Sequence, residues 1–476
     1  MKRYAILFGI VALAACTPRP TSNITAITVT ASQVALRGGN SSQLQANVFG
    51  DGAFDPTITW MLEPSGFGTL SSGAGNSVLY TAPTNSTGRV VRITARSVEA
   101  DKRQQTVFLS VNPRQASLAA GGAHSLALKS DGTVLSWGWD GDGQLGDNQA
   151  LEPKATPVNV NPATGIVAIA AGGNHSLALK SDGTVLAWGR DNAGQLGNDL
   201  ALEDKPKPVS VSGLTGIIAI SAGYAHSLAL KSNGTVYAWG DDADGQLGDD
   251  PVLLEQPLPV LVSGVNTIVA IAAGGSHSLA LKSDGTVLAW GNDANGQLGN
   301  DAAFANKRTA EAVSGATGIV AVSAGNSYSF AIKSDGSLLA WGDDENGQLG
   351  DGVVSTNQPT PVAVPAASFI VAAQAGRAHS LALKSDGTML AWGSDTNGQL
   401  GDDAALVSRA IPKAVALAEG VVAIAVGNRH SLALKQNGTL LSWGADINGE
   451  LGDDIALENK PLPVSVLLGA NIIRLP

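Results

Sequence analysis

The sequence predicts an all-β protein: a seven-bladed β-propeller preceded by a small β-sandwich. Three observations carry that expectation. Trp137, Trp188, Trp239, Trp290, Trp341, Trp392 and Trp443 follow one another at intervals of 51 residues with no insertion or deletion, and a strict period of this size marks a repeat architecture. Each repeat contains short apolar or alternating runs separated by Gly, Asp, Asn and Ser, the pattern of strands and turns. Helical periodicity is absent throughout.

The bulk numbers agree. The chain has 476 residues, 44% of them hydrophobic and 14% charged, which suits a folded protein of more than one unit. Its net charge is −11 and its pI about 5.0. Phosphate recognition needs clustered Lys and Arg, so this balance argues against a nucleic-acid partner.

The chain opens with Lys2 and Arg3, an apolar run from Tyr4 to Ala15, and then Cys16, the only cysteine. A basic start, a short apolar run and small residues at its end read as a secretory signal. The run is too short to cross a bilayer. From these residues alone, an ordinary signal peptide or a buried thiol fits as well. The tetrad Leu13-Ala14-Ala15-Cys16 resembles the lipobox of bacterial lipoproteins. That resemblance implies that residues 1–15 are a lipoprotein signal peptide, that Cys16 is lipidated, and that residues 16–23 are a lipidated tether. It places the protein in the bacterial cell envelope, anchored to membrane through lipid. Thr17 stands where an aspartate would imply inner-membrane retention, so the outer membrane is expected, on its periplasmic or surface side.

Residues 24–112 hold six short segments: ITAITVT, SQLQANVF, TITWML, SVLYTAP, RVVRITARSV and TVFLSV. Their alternation over about ninety residues predicts a β-sandwich. The run ITW…GTL…LYTAP…VRITARS…LSV resembles bacterial immunoglobulin-like domains. Trp60 reads as its core tryptophan, with an exposed binding aromatic as the alternative.

The propeller is expected over residues 114–476. In the unit starting at Gly165, the strands read as Ile166–Ala170, His175–Leu179, Thr184–Trp188 and Pro208–Val211, with Lys180-Ser181-Asp182-Gly183 turning a hairpin. Four-stranded sheets this apolar need both faces covered, which a ring supplies. The first-strand sequence at Gln115–Ala119 returns at Ile472–Leu475. C-terminal strands are therefore expected to complete the blade begun near Gln115.

The motif HSLALKSDGTVLAWGRDNAGQLG, residues 175–197, resembles the regulator of chromosome condensation repeat, and every repeat from 114 to 476 carries it. The resemblance implies a seven-bladed propeller. It also implies a range of roles: exchange factors for a small GTPase, ubiquitin-ligase domains, and the secreted beta-lactamase inhibitory protein II.

All six histidines share one repeat position: His124, His175, His226, His277, His379 and His430, with Tyr328 in the remaining unit. Recurrence favours a structural role for them and for the seven tryptophans. The histidines are expected to buttress the loop after each Trp-Gly pair. A zinc reading would need ligand atoms within about 2 Å of one ion, whereas packed sheets lie about 10 Å apart. Each His is followed by Ser, but strand neighbours face opposite sides, so no hydrolase dyad is expected. The GxGxxG match at Gly141–Gly146 precedes no helical pattern and reads as chance. The acidic loops, such as Asp242-Ala243-Asp244-Gly245 and Asp446-Ile447-Asn448-Gly449, offer oxygen donors of the kind calcium takes. They lack EF-hand spacing, and a plain turn explains them equally. The expectation is no enzyme activity, no cofactor and no metal.

A recognition site is expected where the copies disagree. At the end of the ring bearing the AGG turns and the loops after Trp-Gly, the variable positions include Trp139, Arg190, Tyr224, Phe304, Arg377 and Arg429. Trp, Tyr and Arg are common interface anchors; incidental surface variation is the alternative for each. The leading expectation is a monomeric extracytoplasmic binding protein for an unknown protein or surface polymer. Enzyme inhibition like that of the lactamase inhibitor is a second reading. Nucleotide exchange on a GTPase is a third; uniform repeat spacing leaves no room for the inserted wedge through which the family's exchange factors act.

Overall fold

A computed structural model describes residues 24–31, 35–36, 41–50, 55–63, 68–71, 73–82, 89–98, 103–111, 117–149, 151–249, 254–300, 303–354, 357–403, 405–416, 418–454, 456–469 and 473. Cys16 and the tether expected at 16–23 lie outside the described residues, as do Gln115, Ile472 and Leu475. Among the described residues the chain is all-β, arranged in nine four-stranded sheets.

Two of these sheets form the N-terminal unit. Its strands are β1 (Ile24–Ala31), β2 (Ala35–Leu36), β3 (Ser41–Gly50), β4 (Ile58–Glu63), β5 (Thr69–Leu70), β6 (Ser77–Thr81), β7 (Arg89–Ser97) and β8 (Gln104–Val111). One sheet runs β1-β3-β6-β5 and the other β2-β8-β7-β4. The alternation in β3, where Ser42, Leu44 and Ala46 are buried and the residues between them exposed, faces one side of the sheet inward. Leu44, Ala46, Val78 and Tyr80 from one sheet meet Ile58, Trp60, Val91, Ile93 and Ala95 from the other in one core. Trp60 is buried, and its indole Nε1 donates to the Gly75 carbonyl at 2.7 Å, as an interior indole requires.

The other seven sheets are the repeats, each built from four consecutive strands in sequence order. The second repeat sheet, for example, runs Ile166–Ala171, His175–Lys180, Val185–Gly189 and Lys205–Ser210. The inner strand of each sheet packs on that of the next, and Val421–Val426 of the last sheet packs on Leu118–Ala120 of the first. The sheets therefore close a ring, and the repeat region is a β-propeller.

One expectation is corrected here. The outer strand begins at Lys205, not Pro208. Pro206 and Pro208 each lack an N–H, but an outermost strand uses only one edge for pairing and tolerates them. Closure follows the expectation at the one residue described there: the four named strands of the first sheet come from residues 118–159, and C-terminal chain joins that sheet at Ile473. The sheet's inner strand is short, covering only Leu118–Ala120. The Lys129 backbone, whose counterpart Lys180 pairs with Ile166, bridges instead to Ile473. Ile473 is buried beside Leu118, Trp137, Leu432 and Val466. One C-terminal residue thus supplies the backbone partner that the short inner strand cannot.

Candidate functional site

The repeated polar residues come first, because they decide what chemistry the ring can hold. Every repeat tryptophan is fully buried. The Trp188 indole donates to the Gln144 carbonyl of the preceding sheet at 2.8 Å, and Trp239 and Trp290 do the same to Gln195 and Gln246. Trp137 of the first sheet reaches Glu450 of the last. The loop that offers this carbonyl needs a glycine two residues later. Gly197 sits at φ +67°, and a Cβ there would lie 2.7 Å from the Trp239 Nε1.

The histidines reach the loop after each Trp-Gly pair indirectly, through a serine of the next sheet that bonds the loop carbonyl. His124 Nε2 lies 2.9 Å from Ser176 Oγ of the next sheet, His175 the same distance from Ser227, and His430 the same from Ser125 of the first sheet. A His and the Ser beside it in sequence do face apart, but His meets Ser across the sheet interface. Each Ser hydroxyl donates its one proton to the same carbonyl that Trp uses, as Ser176 does to Gln144 at 3.0 Å. The His Nε2–H is therefore the donor and the Ser oxygen the acceptor. Burial pushes the imidazoles down to about 3 in His124 and His175 and about 4 in His226 and His430, so all are neutral. A nucleophile needs a free proton path and access, and these fully buried hydroxyls have neither. In the fifth sheet Tyr328 replaces His; its hydroxyl donates to the His379 carbonyl at 2.6 Å and lies 3.0 Å from Ser380 Oγ.

The acidic loops prove to be built as turns. The Asp two residues after each Trp-Gly pair is buried in every repeat, from Asp140 to Asp446. Its Oδ1 accepts the backbone N–H five residues on, as in Leu145 to Asp140 at 2.8 Å and Leu451 to Asp446 at 2.9 Å. These carboxylates hold the loops in shape. Burial raises them, to about 6 in Asp140 and Asp191 and about 7 in Asp344 and Asp446.

Of the variable positions, Tyr224, Asn326, Arg377 and Asn428 line a central channel of about 1380 Å³ bounded by the inner strands. At one mouth the chain of one sheet bonds that of the next: Gly122 N–H to Gly173 O at 3.0 Å, Gly173 to Tyr224 at 3.1 Å, and Asn326 to Gly376 at 2.9 Å. This frame presents Tyr224, Asn326, Arg377 and Asn428 at the rim. Tyr224 is 56% exposed, and Arg377 and Arg429 are exposed. Trp139, 37% exposed, stands one step further out, since its N–H bonds the Ala123 carbonyl just behind the rim. Arg190 occupies the same outer circle and is tied to its own loop through Asn192 at 2.9 Å.

Phe304 stands apart from this rim. It lies on the loop leading to the outer strand Lys307–Ala312, at φ +50°, where other repeats place Leu202, Leu406 and Leu457 at φ between +51° and +53°. It belongs to a recurring apolar position. At the opposite mouth, Glu63 and Arg92 of the sandwich, paired at 3.1 Å, line the channel with the hairpin residues Lys333 and Lys384. The sandwich thus sits at the hairpin end, and among the described residues the rim of Tyr224 and Arg377 is uncovered.

A family model described as an RCC1-like domain matches residues 79–401 and 256–474. The Ultraviolet-B receptor UVR8 of Arabidopsis thaliana is 32% identical over 353 residues, 70% of this chain and 78% of that protein. The chain belongs to the RCC1-like family. The Regulator of chromosome condensation of Xenopus laevis is 27% identical, covering 63% of this chain and 76% of that one. The E3 ubiquitin-protein ligase HERC2 of Mus musculus is 29% identical, but the chain spans only 8% of its length. Among solved structures, Prp20p of Saccharomyces cerevisiae superposes with a TM-score of 0.62 at 26% identity, covering 71% of this chain and 87% of that one; that study concerns its binding to Gsp1p and histones. Family membership does not assign the rim.

Proposed function

We propose that this RCC1-like chain is a seven-bladed propeller carried on an immunoglobulin-like sandwich, and that it works as a binding module at the bacterial cell envelope. Its signal resembles that of a lipoprotein, with Cys16 as the lipidated residue; the sandwich then holds the ring away from the membrane. The partner docks at the rim, and it is a protein or a surface polymer. One observation carries this reading: the positions where near-identical repeats diverge to Tyr224, Asn326, Arg377 and Asn428 meet around one uncovered channel mouth on a backbone-bonded frame. Rigid frames with aromatic and Arg anchors bind with little ordering cost.

The test is capture of envelope components by the protein and by a Tyr224→Ala/Arg377→Ala variant. Loss of the captured component from a variant with an unchanged melting curve supports the rim. Retention of it would place the interface elsewhere. Exchange activity is a further reading, favoured by relatives such as the Guanine nucleotide exchange factor SRM1 of Saccharomyces cerevisiae, which is 29% identical over 65% of this chain. Nucleotide release from a GTPase, measured with and without the protein, separates it from simple binding.

A further inference from the structure

The repeats act as internal controls for one another, and by that comparison the last one is unusual. In the sixth repeat sheet Asp402 and Asp403 are compensated by two bases: Arg409 bonds both, and Lys413 lies 3.0 Å from Asp402 and 2.9 Å from Asp403. In the third, Arg308 reaches back from the neighbouring sheet to Asp242 at 3.0 Å. The seventh sheet has acids at the same positions, Asp446, Asp453 and Asp454, but keeps only one of the two bases, Lys460 at the position of Arg409, and among the described residues has no arginine reaching in. Val464 stands at the repeat position of Lys413. Ala155 packs against Gly449 where Arg308 packs against Gly245.

The last repeat also adds a charge. Its loop reads Gly449-Glu450-Leu451-Gly452, with Glu450 where the other six repeats carry Gln. Glu450 is buried and spends its oxygens on Asn448, at 2.7 and 2.8 Å. Four carboxylates therefore face one base, Lys460, whose ammonium stays 3.5 Å from Asp454 and 4.0 Å from Asp453. Those separations are too long for charge-assisted hydrogen bonds.

Carboxylate oxygens without partners recur around the ring, Asp395 Oδ2 and Asp402 Oδ1 of the sixth sheet among them; in the last sheet a third acid converges on them. Asp446 is fully buried; its Oδ1 holds the Leu451 N–H, while its Oδ2 has no hydrogen-bond partner. The Asp453 side chain is 7% exposed, and its Oδ1 has none either. One carboxylate oxygen from each of Asp446, Asp453 and Asp454 can be chosen so that all three lie within 4.8 Å of one another, a spacing that could hold a metal ion. Orphaned buried carboxylate oxygens are costly unless a cation or proton meets them. Three converging carboxylates make a hard-donor site, and calcium takes six to eight oxygens at about 2.3–2.6 Å in flexible geometry, water supplying those the protein does not.

We propose that Asp446, Asp453 and Asp454 form a binding site for one calcium-class divalent cation, at the seam where the last sheet meets the first. This differs from the DxNG reading of the sequence, since Asn448 is engaged by Glu450 and the ligands come from either side of the turn. The site adjoins the Glu450 carbonyl that receives Ser125 and Trp137 of the first sheet. A bound cation therefore ties down the loop that closes the ring.

The test is isothermal titration of the full chain with calcium chloride and with magnesium chloride, alongside melting curves in calcium and in EDTA. Calcium is expected to bind with a stoichiometry of one and to raise Tm, with magnesium binding more weakly. The variant Asp453→Asn/Asp454→Asn keeps side-chain oxygens for the local turns and is expected to lose about tenfold or more in affinity. The matched variant Asp402→Asn/Asp403→Asn in the sixth sheet is expected to bind calcium like the parent. No heat and no Tm shift at about 5 mM calcium, a concentration above the weak end of protein calcium sites, would overturn the proposal. So would undiminished binding by the Asp453/Asp454 variant with its circular dichroism unchanged.

Discussion

Replacement of Trp290 by Ala tests the logic of the ring most directly. Trp290 belongs to the fourth repeat sheet, yet most of the core cluster it packs in comes from the third: Ile218, Leu228, Leu230, Val236, Leu247 and Val262. It is fully buried. A buried Trp removes about 150–250 Å² from water, or about 4–6 kcal/mol at 25 cal/mol per Å², an upper bound for a real unfolded chain. The lost indole hydrogen bond adds about 1 kcal/mol, but the Gln246 carbonyl keeps Ser278 Oγ at 2.8 Å and is not orphaned. The rigid neighbouring sheet cannot collapse into the hole, which places the cost of Trp290→Ala at about 3–5 kcal/mol. Urea unfolding followed by far-ultraviolet circular dichroism, with Trp290→Phe alongside, measures it. Phe keeps much of the apolar area and is expected to lose about 1–2 kcal/mol, the hydrogen bond plus a partial void. A Trp290→Ala loss below about 1 kcal/mol would refute the argument that neighbouring sheets stabilise each other through these rings.

Other outcomes follow from the same geometry. Ile473→Ala is expected to cost about 2–4 kcal/mol, read as a lower urea midpoint, because it opens the seam beside Trp137; a change within error would mean that the C-terminal bridge plays no part in closure. Asp344, raised to about 7 by burial and by Asp351 and Asp343, resists ionisation in the fold but ionises near the ordinary carboxylate range when unfolded. Ionised Asp344 therefore opposes folding above pH 7, and the effect fades as pH falls toward 4. Asp344→Asn keeps the acceptor for Leu349 and is expected to stabilise the protein at pH 8 by about 1–2 kcal/mol after solvent screening, with no gain at pH 3.5 in parallel melts. The histidines act in the opposite sense. Their folded pKa values, such as about 3 in His277, lie below the unfolded value near 6.5. Each contributes stability above pH 6.5 that is lost as pH falls toward 3. The variant His277→Gln should reduce the acid-side slope of stability by up to about 1.4 kcal/mol per pH unit; an unchanged slope would mean that His277 takes up its proton while folded.

Much of this was legible from sequence because the repeat is strict. A tryptophan recurring at one spacing is buried or exposed seven times over, and here it is buried every time. The hairpins were legible for the same reason: Asp182 accepts from the Thr184 N–H and hydroxyl, and Asp131, Asp284 and Asp386 repeat the arrangement at Thr133, Thr286 and Thr388. Outer strands were less legible, because prolines at an edge look like strand breakers. The His–Ser bonds were missed because the partner is 52 residues away, one repeat plus one. Only the direction in which sheets stack makes that offset meaningful. The acid cluster of the last sheet left one trace, Glu450 in a position otherwise held by Gln. Nothing in the sequence said that Asp453 would converge on Asp446.

The sequence by itself determined periodicity, strand type and the residues that must be interior, because those properties are local and each copy repeats the evidence. Which side chains meet across the seams was decided only by the closed ring, as were the divergent positions that share a mouth and the carboxylates left without a base. Those contacts join residues of different copies, and a repeat read along the chain carries no information about how its neighbours are rotated against it.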